Sequence, residues 1–257
     1  MKKAKNTARR GLLAFATRSY PKFGRQRRPF DSANPPQTVI DSPYYWWYQF
    51  LRLNKDYAAT CKRGGRGPLS SLYRDFGDVF ALDFKTWWTA RDHLFAEPRE
   101  GYRMLVAKSA EDLAPFDSED VINLVVPLTR TRRSLAKSFK FLVLSKVAPG
   151  RKGVNVATSE ARYRLSGKWH IGALQTAYLV YMARQESVAR GERLPWADIA
   201  IRAKIPMSYA QSTVERRRDS DLRRTLTILA MRHYRRAEQF IAASATCSFP
   251  YHTSSSN

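Results

Sequence analysis

The sequence is poor in the residues that usually announce chemistry. It has two cysteines, Cys61 and Cys247, in 257 residues. They are far apart, belong to no Cys-x-x-Cys pair, and the four histidines are scattered. That spacing argues against a structural zinc site and against a disulfide-stapled fold, and two free thiols in a reducing compartment are expected. No apolar run approaches the ~18–20 residues of a membrane-spanning helix. A phosphate-cradling Gly-x-x-x-x-Gly-Lys loop, a Gly-x-Ser-x-Gly elbow and a Cys/His nucleophile pair in evident context are all missing, which removes the readings those motifs support. Acid is scarce as well: 22 Asp and Glu stand against 45 Lys and Arg, a formal charge of +23. Such a chain repels itself and attracts polyanions.

The surplus is unevenly placed. Residues 1–30 carry ten basic and no acidic side chains, whereas residues 41–100 carry nine basic and eight acidic. Residues 101–129 are net acidic, residues 130–168 carry eleven basic side chains and one acid (Glu160), and residues 201–238 carry ten basic and four acidic. The positive charge therefore sits in a tail and in two blocks of the C-terminal half.

Hydrophobic periodicity predicts a mainly α-helical fold: helical subdomains, one or two short strands, and a disordered basic N-terminal tail. The tail is taken as 1–40, ending at Pro35 and Pro36, which disfavour helix there. Acid-free and Arg-rich, it suits an arm lying on phosphates or a solubilising tail better than a transit peptide. Residues 41–100 hold 14 of the 32 aromatics and are expected to form a compact helical subdomain. Its first helix begins at Ser42 and Pro43, a cap and an N1 proline, and continues to about Cys61. Tyr44, Trp47, Tyr48 and Leu51 share one face, and Trp46, Phe50, Leu53 and Tyr57 form a second row. The Lys-Arg-Gly-Gly run at 62–65 is a breaker. A short helix is expected from Leu69 to Phe76, and Asp83 is expected to cap another carrying Phe84, Trp87 and Trp88. Residues 101–120 form a linker, and 121–250 a basic, mainly helical domain, followed by a short tail at 251–257. Within that domain "VINLVVPL" (121–128) is the best strand, and Val154 and Val156 suggest a second. Helices are expected over Arg130–Lys146, Trp169–Glu186, Trp196–Lys204 and Asp219–Ser244. In the last, Leu222, Leu226, Leu229, His233, Ala237 and Phe240 make an apolar stripe, with Arg224, Arg232 and Arg235 away from it.

The aromatic stretch at 44–57 admits two uses. Exposed rings can stack on bases, but such platforms are interleaved with Lys and Arg, and these flanks are nearly neutral. Burial on two helical faces is the expected use. The basic blocks point elsewhere. Arg133, Lys137 and Lys140 fall on one side of a helix, opposite Leu135, Phe139 and Leu142, and Arg151 and Lys152 follow in a loop. Cations in this pattern neutralise consecutive phosphates and release counterions. Residues 196–218 have a loose helix-turn-helix character: Ile199 and Ala200 pack a first helix, and a polar segment containing Ser208 and Gln211 and ending in Arg216, Arg217 and Arg218 would read a groove. Pro206 and Met207 occupy the turn without its usual glycine. Arg223 and Arg224 extend the same cationic region.

Other constellations have plainer readings. His233 and Arg236 form a His-x-x-Arg, which also occurs in tyrosine recombinases, and Tyr251 follows. The rest of that set has no suitable spacing, and His233 lies on the apolar stripe, so a core histidine is expected. Asp117, Glu119 and Asp120 could be imagined around Mg²⁺, but a solvated linker is the simpler reading.

"SPYYWWYQFLRLNKDY", "LYRDFGDVF" with "FKTWW" and "LFAEP", "VINLVVPLTRTRRSLAKSF" and "MRHYRRAEQFIAASATCSFP" together resemble a group of proteobacterial proteins of plasmids, integrative elements and prophages. The resemblance covers roughly 41–100 and 121–250. It implies a bacterial cytoplasmic setting and a mobile-element role, and it carries no catalytic residue. The resulting expectation is a non-enzymatic nucleic-acid-binding protein, DNA before RNA, associated with the nucleoid or other nucleic acid. It would serve regulation, replication or maintenance of a mobile element. The phosphate contacts would be Arg133, Lys137, Lys140, Arg151, Lys152, Arg216, Arg217, Arg218, Arg223 and Arg224, with readout around Ser208 and Gln211. No cofactor and no metal are expected. An adaptor whose basic surface binds an acidic partner and a ribonucleoprotein component are the alternatives, with a nuclease or recombinase behind them.

Overall fold

A computed structural model describes residues 13, 15–23, 30–97, 106–114, 116, 121–146, 159–205 and 220–251. The chain is mainly helical: α1 (Gln37–Ile40), α2 (Pro43–Leu53), α3 (Lys55–Lys62), α4 (Ser70–Phe76), α5 (Phe84–Arg91), α6 (Arg132–Phe139), α7 (Ile171–Ala189), α8 (Trp196–Arg202) and α9 (Ser220–Ser244). Two short strands, β1 (Arg164–Leu165) and β2 (Ser248–Phe249), pair in parallel. Among the described residues no helix is long and apolar enough to cross a membrane.

The expected helix over 43–61 is two helices. Asn54 leaves the helical region (φ −75°, ψ 115°), and its side chain accepts a hydrogen bond from Tyr57 N at 2.9 Å, capping α3. Its Nδ2 also donates to Ile241 O at 3.2 Å, so the break is fastened to α9. An Asx side chain offers the backbone this alternative to continuing a helix. Pro43 does stand at the first helical position of α2, but Ser42 makes no side-chain cap and its Oγ is buried without a partner among the described residues. Asp83 caps α5 as expected, accepting from Thr86 N at 3.0 Å and from Thr86 Oγ1 at 2.7 Å. The breaker after α3 places Gly65 at φ +90°, where a Cβ would stand 2.3 Å from the Tyr73 ring. Both the backbone angle and the close approach require glycine.

Every aromatic ring of α2 is buried. Trp47 lies at the centre: it stacks on Phe249 at 5.2 Å, meets the edge of Phe95 at 5.3 Å, and donates Nε1–H to Ser244 O at 2.8 Å. Trp87 donates to Phe76 O at 2.9 Å, Tyr48 to Leu82 O at 2.7 Å and Tyr57 to Gly77 O at 2.7 Å. Each amphipathic ring thus buries its face and satisfies its polar end. Burial raises the hydroxyl pKa of Tyr44 and Tyr57. It also pushes the Cys61 thiol up to about 11, with Asp78 adding to the shift. Both cysteines are free, Cys61 buried and Cys247 exposed.

This core does not stop at residue 100. Tyr163, Leu165, Leu174, Tyr181, Phe240 and Phe249 belong to the same cluster as the rings of 44–95, so the aromatic segment and the C-terminal helices share one interior. Nor does the folded body begin at residue 41. Phe15 packs against Tyr44 and Trp88, and Phe23 and Phe30 pack against Phe84. Residues 1–12 lie outside the described residues. A second, smaller core joins α7, α8 and α9 through Val180, Ile199, Ala200, Leu222, Leu226 and Ala230.

The run 121–128 departs from expectation. It is without regular secondary structure over 121–127, turns at 128–129, and makes no sheet pairing among the described residues. The second suggested strand, at Val154 and Val156, lies outside the described residues.

Candidate nucleic-acid interface

The cationic residues fall into two described sets. The first is on α6. Thr131 caps the helix by accepting from Ser134 N at 3.3 Å. Arg133, Lys137 and Lys140 are all exposed on one side, while Leu135 and Phe139 on the other are half-buried. The helix then widens into a π-helical turn, Lys140–Leu144, which leaves Phe141 76% exposed. From 121 to 146 no residue is buried. By helical rise Arg133 and Lys140 are about 10 Å apart, a length over which duplex DNA presents about six charges.

The second set is on α9. Arg224, Arg232 and Arg235 are exposed along one side of the helix, with Ile228 between them. The sequence periodicity sets Arg232 and Arg235 away from the apolar stripe without marking them as contacts; their i, i+8, i+11 spacing with Arg224 is the signal that places them together. Arg223 is different. It is half-buried and ion-paired with Asp198 at 3.3 Å, so its charge is partly neutralised within the fold. Its ion pair joins α8 to α9 instead of facing a ligand.

Arg151, Lys152, Ser208, Gln211, Arg216, Arg217 and Arg218 lie outside the described residues. The helix-turn-helix reading is therefore described only in its first half: Ile199 and Ala200 of α8 are buried against α7 and α9, and Ala203 and Lys204 (φ 51°) close the helix. Among the described residues there are three ion pairs, Arg162–Asp75, Arg202–Glu192 and Arg223–Asp198. None involves Arg133, Lys137, Lys140, Arg224, Arg232 or Arg235.

Acidic and titratable groups elsewhere serve the scaffold. Asp75 accepts from Tyr163 Oη at 2.5 Å and pairs with Arg162, tying α4 to the segment before β1. The buried Glu97 carboxylate accepts from Ser159 Oγ at 2.6 Å and Glu160 N at 2.9 Å. His233 is half-buried at the margin of the α9 stripe, not in its centre, and its buried Nδ1 has no partner among the described residues. The satisfied core histidine expected from the sequence is thus only partly realised: burial first, then Arg236 and Arg232, lower its pKa and favour the neutral ring. Among the described residues no group of three or more His, Cys, Asp or Glu is placed to hold a metal.

No protein-family model, no curated protein and no solved structure matches the chain. The chemistry of these two cationic faces carries the functional reading.

Proposed function

We propose that the chain is a non-enzymatic nucleic-acid-binding protein that contacts phosphates through its cationic faces, duplex DNA in preference to RNA. The observation that carries the reading is the exposed state, outside any ion pair of the described residues, of Arg133, Lys137 and Lys140 on α6 and of Arg224, Arg232 and Arg235 on α9, in a chain of charge +23. The cations of α6 have no carboxylate on their helix, and on α9 Asp221 and Glu238 stand one turn beyond Arg224 and Arg235; exposed cations so placed neutralise a polyanion and release its counterions. The basic residues at 151–152 and 216–218 would add further phosphate contacts, and any base readout would come from around Ser208 and Gln211. The sequence resemblance to proteins of mobile elements supplies the setting: regulation, replication or maintenance of such an element in a bacterial cytoplasm.

Affinity for labelled duplex DNA, single-stranded DNA and structured RNA across a salt series tests this. The wild type is expected to favour duplex DNA with a steep salt slope. Replacing Arg133, Lys137 and Lys140 together by Gln should flatten the slope by about 2–3, close to 0.9 for each phosphate no longer neutralised. An unchanged affinity and slope in that triple variant removes α6 from the interface.

A further inference from the structure

The charged side of the helix in the 121–146 arm is not purely cationic. Lys137, Lys140, Phe141 and Leu144 follow one another at i, i+3, i+4 and i+7, the spacing of a single helix face. All four are exposed, Phe141 by 76% and Leu144 by 52%. Arg133 lies one turn before Lys137 on the same side. The apolar side is elsewhere: Leu135, Phe139 and Leu142 line a groove with Leu124, Val125, Val126 and Pro127, and neither Phe141 nor Leu144 takes part in it. A large ring standing in water within a row of cations adds nothing to the interior.

Its position is nevertheless fixed. Phe141 stands in the π-helical turn Lys140–Leu144 that ends the helix, and its carbonyl accepts from Ser145 Oγ. Turns of this kind are rare and occur frequently at functional sites. The C-terminal end of a helix repels anions through its dipole, but Lys137, Lys140 and Lys146 stand there and reverse the sign of what a polyanion meets.

We infer that Phe141, with Leu144 beside it, is a wedge that enters a base-pair step of duplex DNA and kinks it, while Arg133, Lys137 and Lys140 hold the flanking phosphates. This deepens the phosphate-contact reading of α6 and rests on it. An apolar side chain inserted from a DNA-binding surface partly unstacks the step it enters. Burial of that side chain and the contacts brought within reach by the bend offset the cost. The steps entered are those that unstack most readily, pyrimidine–purine steps such as TA and CA/TG. The kink thus supplies sequence preference without a hydrogen bond to a base.

Two rivals fit less well. Platforms for single strands offer several rings to successive bases. Within 121–146 only Phe139 and Phe141 are aromatic, and Phe139 lines the groove. Leu144 has no π face, whereas aliphatic side chains do serve as wedges. A helix lying in a membrane surface buries the side opposite its cations, and in α6 that side faces 124–127 across the groove.

The full chain with duplexes carrying a central TA step tests the wedge. Energy transfer between end labels reads the bend, and 2-aminopurine at the step reads unstacking. The wild type is expected to bring the ends together, raise the 2-aminopurine fluorescence, and bind this duplex more tightly than one with a central A-tract, which is stiff. Phe141→Ser is expected to bind with the wild-type salt slope and melt as wild type, but to lose the bend, the fluorescence and the preference for TA. Phe141→Leu is expected to keep the bend, because a wedge needs bulk and not a π face. Duplex bound without bend or fluorescence overturns the wedge and leaves the phosphate reading standing, whereas no binding to duplex at any salt overturns both. The wedge also falls if Phe141→Ser bends DNA like wild type, or if Phe141→Leu loses the bend as serine does. It falls as well if the affinity that Phe141→Ser weakens is for vesicles of anionic phospholipid and not for DNA.

Discussion

Helices α2 and α6 begin alike, each short, each marked by a residue suited to a helix start, each carrying an apolar side. Their fates are opposite. Eight of the eleven residues of α2 are buried, and none of α6 is. α2 is apolar round most of its circumference, so neighbours are needed on every side, and they come from distant sequence: Phe95, Tyr163, Phe240 and Phe249. α6 is apolar on one side only, and the eight residues of its α-helical part fall short of the ~12–15 needed for an isolated helix. Its apolar side meets 124–127 across a shallow groove and leaves none of its residues buried. A helix apolar all round is a core element, whereas a half-apolar cationic helix such as α6 keeps its charged side in solvent.

That contrast can be broken by mutation. Trp47→Ala should have the largest effect, about 3–5 kcal/mol of stability lost, read from chemical denaturation. It opens the cavity between Phe95 and Phe249 and orphans Ser244 O. A loss below about 1 kcal/mol would show that the rings of α2 are not the centre of the body.

Asn54→Ala should cost about 1–2 kcal/mol, because it removes the α3 cap and the tie to α9 together. Chemical denaturation of Asn54→Ser separates the two, since serine keeps a cap acceptor and is too short to reach Ile241 O. An Asn54→Ala variant as stable as wild type would show that the break between α2 and α3 is set elsewhere.

His233 sharpens the comparison through pH. Its folded pKa lies below the ordinary value, so the unfolded chain takes up the proton first. Stability from the neutral ring is complete above the unfolded pKa of about 6.5. It falls as pH drops through that value toward the lowered folded one. His233→Leu should remove this acid-side loss between about pH 7 and 5, seen as a flatter profile of melting temperature against pH. A profile identical to wild type would mean that the ring is not shielded.

The smallest effect belongs to the arm. Phe141→Ser should change stability by less than about 0.5 kcal/mol, although it removes a large apolar ring, because that ring is exposed on the π-helical turn. A large loss in a thermal melt would place the arm against the body.

The helical class, the burial of the Tyr44–Tyr57 rings and the Asp83 cap are legible in the sequence because each depends on spacing a few residues wide. The break at Asn54 is not. Asn inside a helical pattern is tolerated, and only the carbonyl of Ile241, far away in the chain, makes leaving the helix the better choice. The run 121–128 misleads for a related reason. A β-branched run reports the preference of one segment, but a strand exists only where a second segment pairs with it, and none does among the described residues. The core shared between residues 44–95 and 161–249 escapes a reading by charge and composition, because the change in composition near residue 100 does not coincide with a change in packing. Of the contact candidates, Arg133, Lys137, Lys140 and Arg224 are readable as exposed cations, while the ion pair that engages Arg223 depends on how α8 docks.

The sequence by itself determined the helical periodicity, the uneven positive charge and which rings could not stay in water. These are set by local geometry and by solvation, which act residue by residue. The tertiary structure alone decided where α2 finds its neighbours, which arginine is neutralised by Asp198, and that 121–128 is left without a partner strand within the described chain. Those outcomes depend on which distant segments meet, and no single segment carries that information.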